Sequence, residues 1–238
     1  MTDTETAGGQ IPLPFTLFDR FDFDLYLPGP NREAVEQLQR MVMEGGIPFI
    51  FLWGGPGTGK SHLLQAVCTL AADHGHGTAY IPLKNTSELA PPMLEGMERV
   101  EFLCIDDLDR VVGEGDWELA LFHLFNRLRD AGHGLVISAA HNPRQIDIRL
   151  PDLKSRMEWG LGYHLQPLSD RECLTALQQR ARARGFTLPD EVADYLVRRI
   201  ARDTHTMFDL LDRLDNATLV AKKRLTIPFV REQLEGRK

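Results

Sequence analysis

At 43% hydrophobic and 26% charged, the 238 residues can bury a proper core, and no apolar run approaches membrane-spanning length. The net charge of −7 is uneven: residues 169–238 hold 14 Lys/Arg against 11 Asp/Glu, the remainder 13 against 23. Such an acidic body disfavours strong direct DNA binding, which relies on basic side chains displacing counterions from phosphates, and the acidic start Met1-Thr2-Asp3-Thr4-Glu5 is unlike a signal peptide.

Residues 1–9 are small and polar. Gln10-Ile11-Pro12-Leu13-Pro14-Phe15 follows, an apolar hexapeptide that Pro12 and Pro14 hold extended. Such a peptide either packs along its own domain or docks into a groove on another protein, where a preset conformation limits the entropy lost. Phe18 to Pro30 is aromatic and acidic. Asn31 is placed to cap a helix from about Arg32 to Met43, whose Val35, Leu38, Val42 and Met43 share a face.

Pro48 to Trp53 reads as a buried strand, and His62-Leu63-Leu64-Gln65-Ala66-Val67 opens a helix. Between them Gly54-Gly55-Pro56-Gly57-Thr58-Gly59-Lys60-Ser61 completes G-x-x-x-x-G-K-[ST] without a mismatch. Glycines let backbone N–H groups turn inward around a phosphate, and the helix N-terminus adds partial positive charge. Gly55, Pro56, Gly57, Thr58, Gly59, Lys60, Ser61 and His62 are therefore expected to line a nucleoside-phosphate site. Lys60 would reach the β/γ-phosphates and Ser61 would ligate Mg²⁺. The aromatic segment before this strand, with Tyr26 and Leu27, would cover the base or serve only as core.

A strand from Thr78 to Leu83 and a helix around Ser87 to Met97 come next. His74 and His76, two residues apart in a glycine turn, read as solvated rather than metal-binding, since no third ligand is evident. Phe102-Leu103-Cys104-Ile105-Asp106-Asp107 then describes a buried parallel strand whose carboxylate end meets solvent. Ligands of open α/β sheets bind at that edge. Asp106 would serve Mg²⁺ and Asp107 would act as base or water-orienting group.

A helix is expected over Asp116 to Asp130, a third buried strand over Leu135 to Ala139, and a short strand near Tyr163 to Leu168. From Ser169 the pattern is helical only. A capping box at Ser169-Asp170-Arg171-Glu172 opens a helix to about Arg184. Others start at Pro189-Asp190, near Asp203 and at Pro228. Cys68, Cys104 and Cys173 are odd in number and widely spaced, as reduced core cysteines are. The division is an N-terminal tail at 1–17, an α/β nucleotide-binding unit at 18–167 and a helical lid at 168–238.

A phosphate loop, a downstream strand ending in Asp-Asp and trailing helices resemble the AAA+ ATPases. Phe23 to Asn31, His62-Leu63-Leu64 and Leu153-Lys154-Ser155-Arg156-Met157-Glu158-Trp159-Gly160 resemble the DnaA/Hda group within them. Gln10–Phe15, Leu150-Pro151-Asp152-Leu153, Leu165 to Asp170 and Leu225 to Val230 resemble the Hda branch, which lacks the DNA-binding domain of DnaA. The resemblance implies an AAA+ fold with a lid. It implies a cytoplasmic protein, drawn to the nucleoid by the DNA polymerase III β sliding clamp, which it binds through Gln10, Ile11, Pro12, Leu13, Pro14 and Phe15. Arg156 would enter DnaA as a finger in trans, speeding hydrolysis of DnaA-bound ATP and restraining replication initiation. Ala140 and His205 occupy the positions that resemble sensors 1 and 2, where relatives carry a polar group and an Arg. That implies a chain holding ADP, ATP or another nucleoside diphosphate with weak turnover of its own, and open to homodimerisation. An autonomous AAA+ ATPase, such as a helicase loader or remodelling factor, is the alternative.

Overall fold

The computed structural model describes residues 21–84, 89–199, 210–211, 213–214 and 225–235. The hexapeptide Gln10–Phe15, His205 and most of the helix expected from Asp203 lie outside the described residues.

Five parallel strands form one sheet: β1 (Phe49–Trp53), β2 (Thr78–Pro82), β3 (Phe102–Asp106), β4 (Gly134–Ala139) and β5 (Leu161–His164), in the order β2-β3-β4-β1-β5. β3 and β4 are buried at every position, as expected of strands covered on both faces. Successive side chains alternate between the two faces. Phe49, Phe51, Leu103, Ile105, Leu135 and Ile137 meet Trp117, Leu121, Leu124 and Leu128 of α3 (Gly115–Ala131). Ile50, Leu52, Cys104 and Val136 meet Leu38 of α1 (Arg32–Met43) and Leu63 and Val67 of α2 (Lys60–Asp73). A seven-residue helix, α4 (Pro151–Met157), precedes β5. This is the expected α/β AAA+ architecture.

Beyond His164 the described elements are helical: α5 (Asp170–Ala183), α6 (Asp190–Arg199), helical residues at 210–211 and 213–214, and α7 (Ile227–Glu235). Leu177, Val192, Leu196, Leu210, Leu214, Phe229 and Val230 form their common core. Both halves of the capping box are made. Ser169 Oγ accepts from Glu172 N at 3.3 Å, and Glu172 Oε2 accepts from Ser169 N at 2.8 Å. None of the three cysteines forms a disulfide among the described residues, and Cys104 and Cys173 are buried. No described helix is long and apolar enough to cross a membrane.

Three sequence expectations need correction. In place of a helix over Ser87 to Met97, the described residues there form two short 3₁₀ segments, Pro91–Leu94 and Met97–Arg99. Pro91 and Pro92 lack amide donors, and Gly96 turns left-handed at φ 81° between the segments. β5 runs from Leu161 to His164, earlier than expected, because its register against β1 pairs Ile50 with Leu161 and Trp53 with His164. Asn31 heads α1 without a side-chain cap, its amide being engaged elsewhere.

Candidate nucleotide-binding site

β1, β3 and β4 end side by side, so Gly54, Asp106 and Ala140 meet at one sheet edge. Gly54 N donates to Ala139 O at 3.3 Å as the chain leaves β1. A Cβ on Gly54 would stand 2.5 Å from the Leu165 carbonyl oxygen, and one on Gly59 2.5 Å from Tyr26 Cε2. Gly59 is also left-handed, at φ 85°, where a side chain is strained. Gly55 faces open space. Thr58 Oγ1 donates to Gly55 O at 2.9 Å, and Lys60 Nζ donates to Gly54 O at 2.7 Å and Gly55 O at 3.0 Å. The ammonium thus lies along the loop, where burial lowers its pKa against the pull of Asp107, Asp106 and Asp109.

At the acidic edge the expected solvent-facing pair is not found. Asp106 is only 2% exposed. Its Oδ2 accepts from the Tyr80 hydroxyl at 2.7 Å, and its Oδ1 accepts from Ser138 Oγ. The neighbouring strands β2 and β4 supply these donors, which is how a carboxylate can be buried here. Burial, then Asp106, push the Tyr80 phenol well above its ordinary ionisation range. Asp107 takes a left-handed conformation at φ 60° and donates its N–H to Ser138 Oγ at 3.0 Å. Burial, then Asp106 and Asp109, raise the Asp107 pKa. Asp109 Oδ1 accepts the Ala140 N–H at 2.9 Å. A carboxylate therefore does reach the end of β4, but from the turn after β3.

Tyr80, Ser138 and Asp109 escaped the sequence reading. Two signals were available: Ser138 is the one hydroxyl in the run Leu135 to Ala139, and Asp109 extends an already conspicuous acidic turn.

The segment before β1 is fastened to the phosphate loop. Tyr26 OH donates to Thr58 O at 3.2 Å and accepts from Asn31 Nδ2 at 3.1 Å. Asn31 also donates to Gln166 O at 2.9 Å and accepts from Gln166 N at 2.8 Å. His62 is buried between Phe21 and Tyr26, with ring centroids 5.3 and 5.4 Å away, and its Nε2 donates to Asp22 O at 2.8 Å. Burial lowers the His62 pKa and raises that of Tyr26 to about 12, so both rings stay neutral near neutral pH. The Tyr26 and His62 rings lock that segment over the loop. Leu27 is half-buried beside them.

Arg156 lies in the last turn of α4. Glu118, 1% exposed, sets the approach to that helix by accepting from Arg149 N at 3.1 Å, Leu150 N at 2.7 Å and Gly113 N at 2.8 Å. Glu158 pairs with Arg144 at 3.5 Å, and Arg156 makes no ion pair among the described residues. Trp159 and Leu161, just beyond, are 54% and 42% exposed.

The donor set suits a metal-bound polyphosphate. The loop mouth at Gly55 is open, the first α2 amides lack helical partners, and Lys60 is at hand. Ser61 and Asp106 provide the oxygens that a hard cation takes.

Residues 17–164 match the family described as the bacterial DnaA ATPase domain, and residues 170–234 match the lid domain of Hda. Domain III of the Thermotoga maritima replication initiation protein DnaA is similar over 88% of this chain and 93% of its own length, at 23% identity and TM-score 0.77. AMPPCP-bound DnaA from Aquifex aeolicus is similar over 84% of this chain and 66% of its own, at 21% identity and TM-score 0.70. The T. maritima RuvB Holliday junction branch migration motor is similar over 92% and 72%, at 17% identity and TM-score 0.68. At these identities the likeness carries the fold.

Proposed function

This chain belongs to the bacterial DnaA ATPase-domain family of AAA+ proteins, and from that membership we propose that it is a nucleotide-binding regulator of DnaA. ADP or ATP sits in the Gly54–Ser61 loop, with its phosphates at the loop amides and Lys60 and with Mg²⁺ at Ser61 and Asp106. The bound nucleotide holds the α/β unit and lid in the form that meets the partner. Gln10–Phe15 tethers the chain to the DNA-loaded β sliding clamp, which brings it to the nucleoid. Arg156 then enters the nucleotide site of ATP-bound DnaA and stabilises the charge that develops on the γ-phosphate, a contribution worth roughly 10³–10⁵ in rate for such fingers. The product is ADP-bound DnaA, and initiation of DNA replication is restrained.

The observation that carries the trans reading is Arg156 itself. A guanidinium at a helix end would ordinarily pair with the nearest carboxylate, yet Glu158 turns to Arg144 and leaves Arg156 without an ion pair among the described residues. Weak turnover by the chain alone follows from Ala140, whose methyl group offers nothing to a phosphate while its N–H is held by Asp109. A homodimer would use the same Arg156 face.

The test is ATP hydrolysis by this chain alone, with DnaA, and with DnaA plus DNA-loaded clamp. Hydrolysis that rises only in the full mixture and is lost with Arg156→Ala supports the regulator. Vigorous turnover by the chain alone would overturn it in favour of an autonomous ATPase.

A further inference from the structure

Ser138 follows Ile137, the last residue of β4 to pair with β3, and so stands beside Asp106 at the end of that strand. It is fully buried, and its hydroxyl works in two directions. The Asp107 N–H, 3.0 Å away, can only donate, so Ser138 Oγ must accept from it. The one hydroxyl proton is left for Asp106 Oδ1. The Tyr80 hydroxyl holds Oδ2 of the same carboxylate at 2.7 Å. Each oxygen of Asp106 therefore has one donor fixing it and keeps a lone pair for a cation. The bond from its N–H to Ser138 also holds Asp107 at φ 60°, a conformation that residues other than glycine rarely adopt. Asp109 Oδ1 fastens the far side of this turn to the Ala140 N–H.

We propose that Ser138 is a positioning residue for the Mg²⁺ site. Its hydroxyl sets the aim of the Asp106 carboxylate and, through the Asp107 amide, anchors the turn that carries Asp107 and Asp109. Without it Asp106 would hang from Tyr80 alone and could swing about that one contact. The left-handed turn would also lose its tie to β4 at its first residue. Partners that orient a ligating carboxylate without touching the metal are commonly worth about 10–100-fold in its affinity. Phosphates belong to Lys60 and the loop amides, so loss of the Ser138 hydroxyl should separate metal dependence from nucleotide binding. The inference rests on the reading that this site takes a Mg²⁺–nucleotide.

The test is a titration of the full chain with fluorescently labelled ADP, first in EDTA and then at rising Mg²⁺. Ser138→Ala should raise the Mg²⁺ concentration for half-maximal tightening about tenfold and leave metal-free ADP affinity within about twofold. Ser138→Cys keeps the volume filled but offers only a weak donor, so it should raise the same midpoint without opening a cavity. In an Asp106→Asn background, Ser138→Ala should add little, because no metal-ligating carboxylate is left to aim. A parental Mg²⁺ midpoint in both Ser138 variants, equal losses with and without Mg²⁺, or a full further shift on Asp106→Asn would overturn the role. Metal-free ADP affinity also reports on folding of each variant. If the parent chain binds no labelled ADP under any condition, the nucleotide reading itself has failed, which is a different result from a Mg²⁺ midpoint insensitive to Ser138.

Discussion

Asn31→Ala should be among the more damaging single changes in the described structure, although Asn31 is far in sequence from most of what it holds. The side chain is 4% exposed and makes three hydrogen bonds: to the Tyr26 hydroxyl at 3.1 Å, to Gln166 O at 2.9 Å and from Gln166 N at 2.8 Å. At a net value of about 0.5–1.5 kcal/mol each, these sum to roughly 1.5–4.5 kcal/mol. Two features favour the middle of that range. Gln166 is exposed, so its freed backbone groups can reach water, and Tyr26 keeps its bond to Thr58. About 2–3 kcal/mol is expected, or roughly 4–12 °C in Tm for a chain of this size. Urea denaturation followed by circular dichroism would show a lower midpoint at unchanged slope. Asn31→Asp should be no better, because it keeps the acceptor for Gln166 N but loses both donors and sets a carboxylate against a carbonyl. A loss below about 0.5 kcal/mol for Asn31→Ala would refute the view that this side chain ties the segment before β1 to the chain after β5.

Gly59→Ala should abolish ADP binding and destabilise the fold by about 2–4 kcal/mol, since left-handed strain adds to a methyl driven against the pinned Tyr26 ring; equilibrium dialysis and a thermal melt would read both. Asp107→Asn should raise stability near neutral pH. The Asp107 carboxyl has its pKa raised by folding, so its contribution is full below the ordinary carboxylate range and is lost as pH rises through the folded value; the variant's advantage in Tm should close below about pH 4. Glu118→Ala should lower Tm, because three buried-side amide bonds lose their acceptor, and should also weaken stimulation of DnaA, because the start of α4 and with it Arg156 is released. Gln10→Ala with Leu13→Ala should abolish binding to the β clamp in a pull-down while leaving ADP affinity intact; unchanged clamp binding would refute the tether.

The sheet and the phosphate loop were legible because each has a short-range signature. A strand buried on both faces writes itself as a continuous apolar run, so the strand expected over Phe102 to Asp107 is found at Phe102 to Asp106. Gly54 and Gly59 of the loop stand where no Cβ fits. What stayed hidden depends on contacts between residues far apart in the chain. Asn31 has the type and place of a helix cap, yet a partner 135 residues away, Gln166, takes its side chain. His62 sits beside Lys60 and Ser61 in sequence, but the helical turn swings its ring to Phe21 and Tyr26, contacts that adjacency does not reveal. The helix expected over Ser87 to Met97 failed for the opposite reason: the local signals against it, two prolines and a glycine, stood in the sequence itself.

The charge at the sheet edge adds a constraint that neither the motif nor the fold states. Asp106, Asp107 and Asp109 all act on Lys60, and Arg110 is a second cation acting on Asp107. A nucleoside diphosphate brings further negative charge to that edge, and at the distances of adjacent groups such repulsion costs kilocalories wherever water is partly excluded. Lys60 cannot offset it alone, because its own charged form is already disfavoured by burial. Raising the Asp107 pKa relieves a part, and the loop amides another. A divalent cation between Ser61 and Asp106 relieves the most, because it places two positive charges where the carboxylates and the phosphates converge. Nucleotide affinity in this chain should therefore fall steeply on Mg²⁺ removal, and Asp109→Asn should make that fall shallower by lowering the repulsion the cation has to offset. If labelled ADP binds equally well in EDTA and in Mg²⁺, the acidic edge faces away from the phosphates and Lys60 is its counter-ion rather than theirs.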